Sequence, residues 1–167
     1  MTSATIRPAQ PQDLETIVAF IRALAQYEKL EDQVVGNPDE LREHLFGERS
    51  RMGYPAVEAI LADIDDRAVG VALFFPSYST FAMKPGLYLE DIFVMPEYRH
   101  QGIGQSIFQY LAKLALERGY GRFEWRVLDW NDPAIRFYKK MGADILTNWY
   151  TCQVSGDNLT KLAQGQE

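Results

Sequence analysis

Leu89–Gln109 (LEDIFVMPEYRHQGIGQSIFQ) is the stretch that most limits how the chain can fold. It reads as strand, loop and helix in immediate succession. Leu89-Glu90-Asp91-Ile92-Phe93-Val94 is β-rich and stops at Met95-Pro96, because a proline has no N–H to give to a ladder. Beyond Arg99-His100-Gln101-Gly102-Ile103-Gly104, apolar residues recur at Ile103, Ile107, Tyr110, Leu111, Leu114 and Ala115. That spacing predicts a helix with one buried face.

The glycines fall at the start of the predicted helix. A helix N-terminus carries unpaired N–H groups and a partial positive charge. With no Cβ at Gly102 and Gly104, a phosphate can approach those groups, and Arg99 can add a charged contact. The loop therefore proposes an anion cradle. It is not a Walker loop, since no Lys-Ser/Thr pair follows, nor a dinucleotide fingerprint, whose third glycine position is Ile107 here. An ordinary strand-to-helix turn is the alternative.

The chain has 167 residues, 47% of them hydrophobic, which suits one domain, 1–167, with a core of its own. There is no apolar run of membrane-spanning length and no signal-like start. Cys152 is the single cysteine, so no internal disulfide is expected, and a cytoplasmic setting is. The net charge of −6 argues against nucleic acid as a partner and would steer in a small cationic one, although mild acidity is ordinary for soluble proteins and that is the default reading.

The rest of the chain alternates strands and helices. Thr5–Pro8 reads as a strand. A helix opens at Pro11-Gln12-Asp13 and buries Leu14, Ile17, Val18, Ile21, Leu24 and Ala25. Asn37-Pro38-Asp39-Glu40 starts a short helix that Gly47 ends. His44 on it reads as a surface or packing residue, or else as a ligand or base. Ala56–Ile64 and Ala68–Ser77 are strands about a turn at Asp65-Asp66-Arg67, and Gly86–Val94 is the next strand. Arg122–Leu128 is a further strand, Ala134–Met141 a helix, Trp149–Val154 a last strand and Asp157–Ala163 a terminal helix. Cys152 then reads as a buried apolar residue. The order gives an α/β (α+β) chain with a mixed sheet.

Arg99-His100-Gln101-Gly102-Ile103-Gly104 after Leu89–Tyr98 resembles the acetyl-CoA pyrophosphate loop of the GCN5-related N-acetyltransferases. Trp130–Ala143 (WNDPAIRFYKKMGA) looks like the second signature of that superfamily. Leu24–Glu28, Leu89–Met95 and Val127–Asn131 are similar to the spermidine/spermine and thialysine N-acetyltransferases. The resemblance implies a twisted, mostly antiparallel mixed sheet with flanking helices, whose central strands, Tyr88–Val94 and Arg122–Leu128, splay apart. Acetyl-CoA would be the co-substrate, with no metal. Its pantetheine would lie along the backbone of Ile92, Phe93 and Val94, in the manner of an added strand. Its pyrophosphate would lie on Arg99, His100, Gln101, Gly102, Ile103, Gly104 and Gln105, with Asn131, Ala134, Phe137, Tyr138 and Lys139 flanking the CoA arm. Relatives are usually homodimers, and no membrane partner is implied.

The implied reaction is direct acetyl transfer to a primary amine. Tyr138 is the expected general acid toward the departing thiolate, with packing as the other reading. Glu90, acting through a water, is the expected base. Strand alternation would put Glu90 and Ile92 on one face and Asp91 and Phe93 on the other. A charged pair in mid-strand requires solvent, a site role or a partner such as Arg126, and N–H groups near Phe93 would stabilise the oxyanion. By resemblance, Tyr27, Glu28, Glu90, Asp91 and Trp149 are the expected substrate residues, with a solvated helix end as the other reading of Tyr27 and Glu28 and a structural partner as that of Asp91. Polyamine-acetylating relatives carry acidic residues just before that tryptophan, whereas this chain has Leu146-Thr147-Asn148-Trp149. The acceptor is therefore open between a polyamine or diamine and a lysine-like amine. A protein or peptide acetyltransferase, and a non-catalytic CoA-binding regulator, are the other classes.

Overall fold

The computed structural model describes residues 4–47 and 56–165, so most of the stretch from Gly47, where the short helix ends, to the expected strand at Ala56 lies outside the described residues. The chain falls into two compact units, Met1–Arg126 and Val127–Glu167. The first unit holds strands β1 (Thr5–Pro8), β2 (Glu58–Ile64), β3 (Arg67–Ser79), β4 (Lys84–Val94) and β5 (Phe123–Trp125), and helices α1 (Leu14–Glu28), α2 (Pro38–Phe46) and α3 (Ile103–Glu117). Its sheet runs β1-β2-β3-β4-β5 and is antiparallel except for the parallel β4–β5 pair.

Local chemistry explains most boundaries. Asp65 and Asp66 both take positive φ, 48° and 60°, as the tight β2–β3 turn requires. At α2, Asn37 accepts the Asp39 N–H at 2.9 Å and Pro38 takes the first turn. Gly47 ends α2 as expected, but in extended backbone rather than a left-handed cap. Glycine is needed there for space, since a Cβ would sit 2.5 Å from the Glu43 carbonyl oxygen.

One face of the sheet packs on α1 and α2, with Leu14, Ile17, Phe20, Leu45, Leu61, Val71, Leu73 and Phe93 forming its core. Phe20 adds to the expected stripe of α1, and its ring meets Phe93 at 5.9 Å. Helix α3 packs against β4, β3 and β1. From it Phe108 reaches Phe123 and Trp125 on β5, at 5.5 and 4.8 Å between ring centres. Arg7 clasps β1 to the start of α1 and to β2, with 2.7 Å to Asp13 and 2.5 Å to Asp63.

The β4 register carries the main departure from sequence expectation. Ala72 faces Ile92 and Leu73 faces Asp91, but Phe74 faces Leu89, so Glu90 is the extra residue of a β-bulge. The bulge reverses the alternation. Leu89 pairs with Trp125 on the α3 face, whereas Phe93, four residues on, packs on the α1 face. Asp91 and Phe93 share a face as expected, but now with Tyr88, and strict alternation does not set the direction of Glu90.

Strand β5 is shorter than the expected Arg122–Leu128. Its ladder to β4 consists of Leu87↔Phe123, Tyr88↔Glu124 and Leu89↔Trp125. Pairing stops where the bulge begins, while β4 runs on to Val94. The β4–β5 ladder thus ends where the bulge in β4 begins.

The second unit contains α4 (Asp132–Lys140) and α5 (Gly156–Ala163). The expected strand Trp149–Val154 is not formed, and the segment is irregular and exposed. Its residues suit a strand, but a strand needs a ladder partner, and none of the described strands pairs with it. Cys152 is correspondingly exposed rather than buried.

Candidate active site

In the first unit the site elements are the end of α1, the bulge and far end of β4, and the loop into α3. Backbone beyond Leu89 on the β5 side of β4 has no ladder there among the described residues. Ile92, Phe93 and Val94 lie on this segment, where an extended amide chain could add as a strand.

The loop into α3 places a glycine, Gly102, at the helix start, as the sequence indicates. This residue caps α3 with φ 83°, and no side chain caps the helix. The first intrahelical bond is donated by Ser106 N–H to Gly102 O at 2.9 Å. The N–H groups of Ile103, Gly104 and Gln105 therefore precede the helical ladder and are available to an anion. Space opens over Gly102, since a Cβ there would meet nothing within 4 Å. A diphosphate fits this donor set. His100 also has positive φ, 62°, a conformation that usually favours glycine.

Arg99 is anchored before any ligand is considered. Its Nε donates to Val94 O at 2.9 Å. Its guanidinium lies 4.7 Å from the centre of the Tyr27 ring and 5.6 Å from that of Phe93. Cation–π contact thus joins the last turn of α1 to the end of β4. Tyr27 and Glu28 belong to the last turn of α1, which stops at a left-handed Lys29 (φ 60°).

The bulge gathers the charges. Burial, then the charges of Glu90 and Glu28, push the Asp91 carboxyl up to about 6, against an opposing pull from Arg126. Burial also raises the Glu28 carboxyl. Glu90 is only partly covered, and its Oε1 stands 3.7 Å from an Arg126 guanidinium nitrogen. Arg126 in turn lies 6.0 Å from the Tyr88 ring centre. A buried pair with an arginine such as Arg126 is the sequence's alternative to a site role for this charged pair; the Glu90–Arg126 pair is instead exposed and loose. Sequence reasoning did not find Asp91 as the most perturbed carboxyl, because nothing in LEDIFV marks a bulge.

In the second unit Asn131 is buried and caps α4, its side-chain oxygen accepting the Ala134 N–H at 3.3 Å. Pro133 sits in the first turn. Tyr138 is buried while Phe137 is half-covered, and their rings lie 5.6 Å apart. Lys139 is on the exposed side in the last turn. Trp149 is 73% exposed in the irregular segment.

The model of the acetyltransferase (GNAT) family matches residues 21–143. The chain belongs to that family. Its match runs through the bulge, the α3 loop and α4, and so across the boundary at Arg126. Among characterised relatives, the thialysine N-epsilon-acetyltransferase of Sus scrofa is 40% identical over 98% of this chain and 99% of its own. The L-ornithine N5-acetyltransferase NATA1 of Arabidopsis thaliana is 45% identical over 65% of this chain and 48% of its own. Among solved structures, an integron cassette protein from the mobile metagenome of V. cholerae superposes with a TM-score of 0.76 at 23% identity, covering 98% of this chain and 99% of that one. An aminoglycoside acetyltransferase from an uncultured soil metagenomic sample reaches 0.69 at 18% identity, covering 90% and 97%. These two likenesses establish the fold: a mixed sheet with flanking helices, as expected from the sequence.

Proposed function

We propose that this acetyltransferase moves an acetyl group from acetyl-CoA directly to the side-chain amine of a small lysine-like substrate, with residues 1–167 acting as one catalytic domain and the chain working as a homodimer in the cytoplasm. The observation that carries the amine reading is the group of carboxylates, Glu28, Glu90 and Asp91, at the point where the β4–β5 ladder stops. Near-full-length similarity to thialysine N-epsilon-acetyltransferases supports the same class.

Acetyl-CoA supplies an activated thioester carbonyl. Ile92, Phe93 and Val94 are proposed to pair with its pantetheine through backbone, and an N–H near Phe93 to receive the charge developing on the carbonyl oxygen. The first-turn N–H groups of α3 from Ile103 to Gln105, with Arg99, His100, Gln101 and Gly102 around them, are proposed to hold the pyrophosphate. Asn131, Ala134, Phe137 and Lys139 take their place beside the CoA arm by resemblance, as does Trp149 beside the substrate.

An amine of ordinary pKa near 10 arrives protonated. Glu28 and Asp91 attract that cation, with Tyr27 beside them. Glu90 takes up the proton through a water, and Asp91, held at about 6, is already ionised at neutral pH to assist. The freed amine attacks the thioester carbonyl and the C–S bond breaks; Tyr138, assigned here by resemblance, gives its phenolic proton to the departing sulfur and regains one, through water, from the amine nitrogen.

The test is release of free CoA from acetyl-CoA across lysine, S-aminoethylcysteine, ornithine, diamines, spermidine and short peptides, with Tyr138→Phe beside wild type. Turnover of lysine-like amines, strongly reduced in the variant with acetyl-CoA affinity kept, is expected. Turnover of peptides alone would overturn the small-amine assignment.

A further inference from the structure

We propose that Arg126 is a specificity residue, whose guanidinium reads an anionic group on the substrate and turns away dications. This rests on the small-amine reading above and names which small amines are accepted. Arg126 follows β5 on the face where Tyr88 and Asp91 lie. Its ion pair with Glu90 spans 3.7 Å, too long for a hydrogen bond, and Arg126 makes no hydrogen bond to the described residues. By contrast, Arg118 grips Glu58 through two bonds of 2.6 and 2.7 Å, and Arg122 lies 2.6 Å from Glu124. Arg126 is 55% exposed, so its fork of donors faces solvent beside the acidic group.

The sign pattern is what selects. Glu28, Glu90 and Arg126 all act on Asp91, so the four charges share one local field. An ammonium suits the three carboxylates. A second ammonium on the same molecule would meet Arg126, and like charges brought together oppose binding. A carboxylate in that place instead receives the planar guanidinium fork, a geometry that a lysine at this position could not reproduce. The chemistry recognised is an amine at one end of a short aliphatic chain and a carboxylate at the other.

L-Lysine, L-lysine amide and 1,5-diaminopentane share the reacting amine and chain but differ in the carboxylate. Wild type is expected to prefer lysine to both others in kcat/KM. Arg126→Gln should lower kcat/KM for lysine roughly tenfold, mainly through KM, and raise that for the diamine, as expected when a charge-assisted contact and a like-charge repulsion are both removed. Arg126→Lys should restore rejection of the diamine but only part of the lysine affinity. An unchanged lysine-to-diamine ratio in a folded Arg126→Gln protein would overturn the proposal. So would equal kcat/KM for lysine and its amide in wild type, a comparison needing no variant. If wild type turns over the diamine far better than lysine, the small-amine reading stands and the role of Arg126 falls. If it turns over no amine while binding acetyl-CoA, both fall.

Discussion

At Asp91 one side chain would link stability to the proposed chemistry. Its folded-state value, about 6, lies above its ordinary 3.8, so the folded protein holds this proton more tightly than the unfolded chain does. Stability from this group therefore declines as pH rises from about 3.8 to about 6 and is level above that, a cost of up to about 3 kcal/mol at neutral pH. Asp91→Asn should raise the melting temperature at pH 7.5 and leave it nearly unchanged at pH 4. The same variant should raise KM for the cationic amine and remove the acid limb near pH 6 from the kcat/KM profile. If that limb disappears in Glu90→Gln instead, Glu90 is the group that titrates. His100 allows a second residue-scale test. Its backbone is left-handed, so a β-branched side chain there should cost about 1–2 kcal/mol. Thermal melts of His100→Val and His100→Gly should separate, with the glycine variant near wild type.

The decisive elements are the start of α3 and the bulge in β4. The cradle at α3 depends on backbone donors, so removing a charge should matter less than filling the space. Gly104→Trp places an indole in the first turn and should weaken acetyl-CoA binding in calorimetry by roughly a hundredfold, about 2.7 kcal/mol. Unchanged affinity would remove the phosphate assignment. The bulge explains why β5 is brief. A ladder needs matching register on both strands, and the extra residue at Glu90 breaks that match just beyond Leu89 and Trp125.

At the scale of the first unit, the clasp of Arg7 ties β1, β2 and the start of α1 together. Hydrogen bonding to Arg7 holds the Asp13 carboxyl below its ordinary value, so this stabilisation is present at neutral pH and is lost as pH falls through the carboxylate range. Arg7→Ala leaves two largely covered carboxylates without their cation. It should cost about 2 kcal/mol, lower the melting temperature by roughly 4–8 °C, and flatten the acid side of the stability curve. A melting temperature within a degree of wild type would show that the clasp is replaced by solvent.

Most of the strand and helix order, the start of α3 and the Asn37 cap were legible because each is local. Apolar periodicity, proline at strand ends and helix starts, and glycine at a first turn act within a few residues. That the mid-strand charges need water or a partner was also local, and Glu90 has both solvent and Arg126 beside it. The bulge was not legible: Leu87, Leu89 and Phe93 are apolar at one parity, which a regular strand satisfies as well. Trp149–Val154 has strand-forming residues, but pairing is a property of neighbours, not of the segment. The sequence by itself determined the family and most of the helices and strands. Tertiary structure alone decided that one extra residue in β4 would end the ladder at Leu89 and leave Asp91 the most perturbed carboxyl, because register and burial are settled only when distant strands and helices meet.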